Sequence, residues 1–239
     1  MFLSPFFTEE AGVVRISAAQ GSAFAKDIAG DFNLIHDADN PRFCAPGDLL
    51  FALVLARHGV GSRMSFRFTG MVGADVPLTF TEIDGGMLVT DAAGKSCLEV
   101  ASSGPVSRDP TLIESLSRRY VAFSGQNFPH ILVPLMEREG VMVNPDRPLV
   151  IYERMFFELD RLDAGDLDLT LVESQLEVKG RRGEARLGFQ IGQAGEPIGR
   201  GSKSLVLSGL RDIDPATLQG LVERYANWKA AYLAANATA

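Results

Sequence analysis

The stretch Ala45–Gly59, APGDLLFALVLARHG, constrains this chain more than any other. Pro46 and Gly47 suit a helix start, Asp48 suits the positive N-terminal end of a helix, and Gly59 suits a stop. Between them, Leu49, Leu50, Phe51, Leu53, Val54 and Leu55 leave no polar face. A helix that is apolar all round must be buried all round. The run Leu49–Ala56 is too short to cross a bilayer, so another part of the chain has to wrap it.

The segments that follow can do this. RMSFRFTG, DVPLTFTEID, GMLVTDAAG and KSCLEVASSG alternate apolar and polar residues, with Asp-Gly-Gly and Ala-Gly between them. That pattern predicts a meander of antiparallel strands. Upstream, GVVRIS (12–17) reads as a short strand, and AAQGSAFAKDIAG as a short helix ending at Gly30.

The second half repeats this order. SLSRRYVAFSGQNFPH resembles AAQGSAFAKDIAGDFNLIH in outline, so that Ser124-Gly125-Gln126 pairs with Ala29-Gly30-Asp31 and His130 falls near the place of His36. ILVPLMEREGV then parallels LLFALVLARHGV, LVIYERMFFEL parallels RMSFRF, and three long alternating segments follow. The offset of about 95 residues is too long for a solenoid repeat and suits a duplicated small domain. The expected units are residues 1–108 and 109–239, the latter closing with a helix from the Asp214-Pro215 pair.

Composition narrows the function classes. The chain has 239 residues, enough to bury a sizeable core, and a formal net charge of -7 with a pI near 5.0. So acidic a chain offers no overall attraction to phosphate backbones, and Lys179, Arg181 and Arg182 read as decoration of a hairpin. Neither nucleic acid nor a membrane is expected as a partner. Cys44 and Cys97 stand in no zinc-ligand spacing and read as reduced thiols. The start MFLSPFFTEE lacks the basic region of a signal peptide. A cytoplasmic location is the expectation.

The chemistry-bearing stretch is AGDFNLIHDAD (29–39). Asp31 and His36 are five residues apart on what reads as a loop, a spacing that lets both side chains return to one point. Histidine titrates near neutrality without tuning, and an aspartate beside it can orient the ring or share a water. Asn33 can hold the water or the backbone in place. The same residues also suit a polar loop whose histidine is satisfied by Asp31 or Asp37. Gly47 opens the apolar helix, where free N–H groups and a positive dipole end can polarise a carbonyl. It also suits a plain turn. His58, at the end of that helix, complements the dipole there.

FAKDIAGDFNLIHDAD, about sixteen residues, resembles the signature of the MaoC-like (R)-specific enoyl-CoA hydratases. That signature runs aromatic-Ala, then Ser-Gly-Asp-x-Asn-Pro-(apolar)-His-x-Asp. Phe24-Ala25, Gly30, Asp31, Asn33 and His36 match it, while Ala29 stands for the serine and Leu34 for the proline. Cys44-Ala45-Pro46-Gly47 stands where the family carries a longer segment and a His-Gly pair. The resemblance implies an α+β double hot-dog, in which each unit wraps an antiparallel sheet around a buried helix. It implies that Asp31 and His36 activate water toward a trans-2-enoyl thioester or reverse that addition, with Asn33 positioning them and the Gly47 N–H polarising the thioester carbonyl. Phe43, Cys44 and Pro46 are then expected to touch substrate. No metal or redox cofactor is implied; coenzyme A or acyl carrier protein enters as part of the substrate.

The second copy looks degraded, because Gln126 cannot act as a carboxylate and Asn127 and Phe128 do not restore Asn33. One half then keeps the chemistry and the other supplies walls for the acyl chain. Three functions stay open on the residues: a hydratase or dehydratase on an acyl thioester, a thioesterase in which Asp31 activates water against the carbonyl, and a non-catalytic acyl-thioester binder. The oligomeric state is also open, a homodimer being compatible with the sequence.

Overall fold

A computed structural model describes residues 2–146, 148–163 and 165–236. The outer limits of the two expected units, Met1 and 237–239, lie outside the described residues. The elements run β1 (Thr8–Glu10), β2 (Val13–Arg15), α1 (Ala18–Ala23), α2 (Gly47–His58), β3 (Val60–Phe68), β4 (Leu78–Ile83), β5 (Gly86–Asp91) and β6 (Ser96–Ser107). Then come α3 (Pro110–Gly125), α4 (Asn127–His130), α5 (Leu132–Arg138), β7 (Val141–Met142), β8 (Leu149–Leu159), β9 (Leu167–Lys179), β10 (Arg182–Gln193), β11 (Glu196–Ser208), β12 (Arg211–Asp212) and α6 (Pro215–Asn236).

Ten strands form one antiparallel sheet in the order β1-β2-β4-β5-β6-β3-β8-β11-β10-β9. The first half of the chain builds one side and the second half the other. They meet where β3 pairs with β8, with Met64 opposite Phe157 and Phe66 opposite Met155. The expected meander is corrected in one respect. β4, β5 and β6 follow one another, but β3 pairs with β6 and β8 rather than with β4. The segment 69–77 carries the chain across the sheet, which frees one edge of β3 for the second half.

Helix α2 is the centre of the first unit. Leu49 through Leu55 are all buried, as the absence of a polar face requires. Gly59 ends the helix with φ +96°, a conformation that favours glycine. The corresponding helix of the second unit is α5, only seven residues long. It presents Leu132, Leu135 and Met136 to a separate cluster with Leu187, Leu205 and Leu207. Much of the cover on α2 comes instead from α3, whose Leu112, Leu116, Tyr120 and Val121 join the main core. Its N-terminus is capped by Asp109, whose Oδ1 accepts the Thr111 N–H at 2.8 Å. One fully buried helix, α2, and a second, α5, buried on one face only rather than wrapped as expected, on one continuous antiparallel sheet, make this a double hot-dog.

Candidate active site

The loop that carries the signature is built by its own residues. Beyond α1, Phe24–Ala29 forms a π-helical turn that ends at Gly30 with φ +65°. Asp31 N–H then donates to the Ala25 carbonyl at 2.8 Å. Asp31 Oδ1 accepts the Asn33 N–H at 2.9 Å, and Asn33 Oδ1 accepts the Ile35 N–H at 3.2 Å. These two local bonds start the 3-10 turn Leu34–His36. Asn33 thus spends its oxygen on the backbone.

The result is a defined relation between acid and imidazole. His36 Nδ1 lies 2.7 Å from the Cys44 carbonyl, which can only accept, so the ring donates from Nδ1. In the neutral ring this leaves the lone pair on Nε2, which lies 3.8 Å from Asp31 Oδ2. That gap is too long for a direct hydrogen bond and leaves both atoms free to meet a third group. Lys26 pairs with Asp37 at 2.6 Å, which takes Asp37 out of the competition for His36.

Helix α6 holds this loop from outside. Tyr225 Oη accepts the Phe32 N–H at 3.1 Å, and the Tyr225 and Tyr232 rings pack edge-on against Phe32. Asp214 caps the helix through the Ala216 N–H at 3.1 Å and the Thr217 hydroxyl at 2.7 Å.

Asp31, Asn33, His36, Cys44, Pro46 and Gly47 all border one cavity of about 610 Å³. Its remaining wall is mostly apolar and draws on both halves of the sheet. Gly47 begins α2, so its amide has no acceptor within the helix. A Cβ on Gly47 would stand 3.1 Å from both the Phe68 and Tyr152 rings, so a side chain here would make a ring shift by a few tenths of an ångström. Phe43, expected at the substrate, is instead in the core, where its ring fills the space beside Gly21. Gln126 and His130 are exposed and do not border the cavity.

Four buried polar residues of the cavity wall are not among the site residues expected from the sequence: Asp48, Ser124, Asn127 and Lys203. Lys203 Nζ donates to Ser124 Oγ, and the Ser124 hydroxyl donates to Asp48 Oδ2. The ammonium also stands 4.0 Å from the centre of the Tyr152 ring, within cation–π range. Burial pushes the Asp48 carboxyl above its ordinary range, an effect that Lys203 and the Ser124 hydroxyl oppose and Asp31 adds to. Burial likewise pushes Lys203 down, against the pull of Asp48 and Asp31. Tyr120 and Tyr152, joined through their hydroxyls, are both pushed well up by burial. A sequence signal for Lys203 does exist. It shares strand parity with the inward-facing Leu205 and Leu207, an unusual place for a lysine. Ser124 and Asn127 carry no such signal.

The fold resembles solved structures at low identity. A tesB protein of Mycobacterium avium subs paratuberculosis is 11% identical, with TM-score 0.48, covering 86% of this chain and 97% of that one. A conserved protein of unknown function with a hot dog fold from Alicyclobacillus acidocaldarius is 6% identical, with TM-score 0.46, covering 87% and 98%. A MaoC-like dehydratase is 10% identical, with TM-score 0.42, covering 84% and 97%. No curated protein matches the sequence. A family model does match, over residues 1–216, which takes in the signature loop, α2, α3 and the whole ten-stranded sheet. The chain belongs to that family, described as Protein of unknown function (DUF3581).

Proposed function

We propose that the protein is an acyl-thioester hydratase or dehydratase of MaoC-like chemistry, adding water to an enoyl thioester or removing it from a 3-hydroxyacyl thioester. The observation that carries this reading is the His36–Cys44 bond of 2.7 Å, which aims the basic Nε2 at the space shared with Asp31 on the wall of a largely apolar cavity. Unit 1–108 supplies this chemistry, and unit 109–239 supplies much of the acyl wall.

In this reading a water sits between Asp31 Oδ2 and His36 Nε2. As its oxygen bonds to C3, its proton passes to this pair, and the π electrons move onto the thioester oxygen. The Gly47 N–H and the positive end of α2 hold that oxygen, and a proton returned to C2 completes the addition. No redox cofactor takes part, and coenzyme A or acyl carrier protein belongs to the substrate. The exposed cations Lys95 and Arg224, on the rim of the cavity, suit the carrier phosphates.

The test is incubation with short and medium trans-2-enoyl-CoAs. Loss of the conjugated thioester absorbance without free thiol supports the hydratase. Release of free thiol makes the protein a thioesterase. Tight binding with neither change makes it a binder.

A further inference from the structure

Asp48 stands one residue beyond Gly47, whose N–H is the proposed holder of the thioester oxygen. The start of α2 has no side-chain cap, and the Leu49 and Leu50 N–H groups both reach the Pro46 carbonyl, at 3.0 and 3.4 Å. A carboxylate in the first turn of a helix is drawn to the free N–H groups there. Asp48 engages none of them: Oδ2 accepts from Ser124, and Oδ1 has no hydrogen-bond partner among the described residues. Ser124, at the end of α3, in turn accepts from Lys203 of β11. All three side chains are buried. Two elements of the second half of the chain therefore hold this carboxylate off the amide end of α2.

The charge of the set matters as much as its bonds. In the thioester reading the oxygen at Gly47 gains negative charge as water attacks, whether at C3 or at the carbonyl carbon. A lone buried carboxylate one residue away would repel that charge and offset the positive end of α2. Beside Lys203 the pair is neutral overall, whichever of the two holds the shared proton. Asp31 acts electrostatically on both residues and His36 on Asp48, so the pair lies within reach of the acid and the imidazole. As a stability device alone a buried ion pair is poor, because desolvation offsets much of its attraction.

We propose that Lys203, acting through Ser124, is a positioning residue for the thioester oxygen: it holds the Asp48 carboxylate off the Gly47 amide and cancels its charge there. This rests on the acyl-thioester reading and adds to it a set of residues that act on the Gly47 amide.

The test is the infrared carbonyl stretch of hexanoyl-CoA labelled with carbon-13 at the thioester carbon. This saturated probe cannot be hydrated, and its spectrum is taken before free thiol appears. The parent should bind it and lower the stretch, as a polarised carbonyl requires. Lys203→Met should bind it within about threefold of the parent and lose about half or more of that shift. Its kcat on the substrate turned over should fall about 100-fold, the scale of losing one oxyanion donor, with KM little changed. Asp48→Asn/Lys203→Met leaves no lone charge. It should regain most of the shift, which a purely structural role for Lys203 would not restore. Ser124→Ala keeps both charges and frees the carboxylate, so it should also lose about half or more of the shift, and it serves if Lys203→Met does not fold. A shift unchanged in Lys203→Met or in Ser124→Ala, or lost in Lys203→Met and not regained in the double variant, overturns the proposal. Binding by the parent with no shift also overturns it and leaves the thioester reading standing. Failure of the parent to bind hexanoyl-CoA overturns both.

Discussion

Gly125, the last residue of α3, lies directly against the backbone of Ala29, the last residue of the turn that leads into the Asp31 loop. A Cβ built on Gly125 would collide with the Ala29 carbonyl oxygen and stand 2.6 Å from its carbon. In the repeat read from the sequence Gly125 pairs with Gly30, the residue after Ala29, so the end of α3 rests against the turn just ahead of the Asp31 loop. Gly125→Ala should therefore displace the loop. With the thioester assay, turnover should drop at least tenfold while α2 stays packed, and exchange protection at Asp31–His36 should fall. Unchanged turnover would show that the loop does not need this contact.

Asp31→Asn keeps size and hydrogen bonding and removes the charge. It should abolish turnover of the thioester substrate by about 100-fold or more, the range for a lost acid–base group, and His36→Ala should do likewise. Asp31→Asn should keep acyl-CoA affinity within about tenfold, because the role proposed for this group lies mainly in the transition state. Gln126→Ala, at an exposed position off the cavity, should leave both measurements near the parent's. Equal losses in all three variants would mean that both loops act structurally.

Leu53 is fully buried in α2. Leu53→Ala should cost about 2–5 kcal/mol in denaturant unfolding, as for other large-to-small changes in a closed core. A loss below about 1 kcal/mol would contradict the position of α2 at the centre of the first unit.

The Lys203 ammonium has a pH signature. Burial lowers its pKa in the folded chain from the ordinary 10.5. Between the folded and ordinary values the unfolded chain holds the proton and the folded chain does not, so stability rises with pH across that window. Asp48 is the charge that most opposes the shift, so Asp48→Asn extends the window downward. The variant should be less stable than the parent by about 3–5 kcal/mol at neutral pH, as when one partner of a buried pair is removed. The difference should shrink as the pH approaches 10.5. Urea titrations at pH 7 and pH 10 check this, and a pH-independent difference counts against it.

Much of the fold was legible from local patterns. The apolar circumference of Ala45–Gly59 demanded burial, and α2 is buried. Alternation located β4, β5 and β6, and the Asp214-Pro215 pair located the start of α6. Alternation says nothing about which edge of β3 meets which neighbour, so the pairing with β8 was not readable. The site divides in the same way. Asp31 and His36 stand close in sequence, and their turn is built by bonds that span two to eight residues, so local chemistry places them. Phe43 was misplaced because an aromatic residue beside the loop reads alike whether it faces a cavity or the space beside Gly21.

By itself the sequence determined one fully buried helix, the strands able to wrap it and a loop that brings an acid near an imidazole, because each depends on residues within a few turns of one another. The tertiary structure decided what that loop faces. Asp48, Ser124 and Lys203 are 76 and 79 residues apart along the chain, and only the joining of β3 to β8 with α3 packed across it brings them to one wall. Their long-range hydrogen bonds are set by the path of the backbone, and no local pattern of residue types encodes that path.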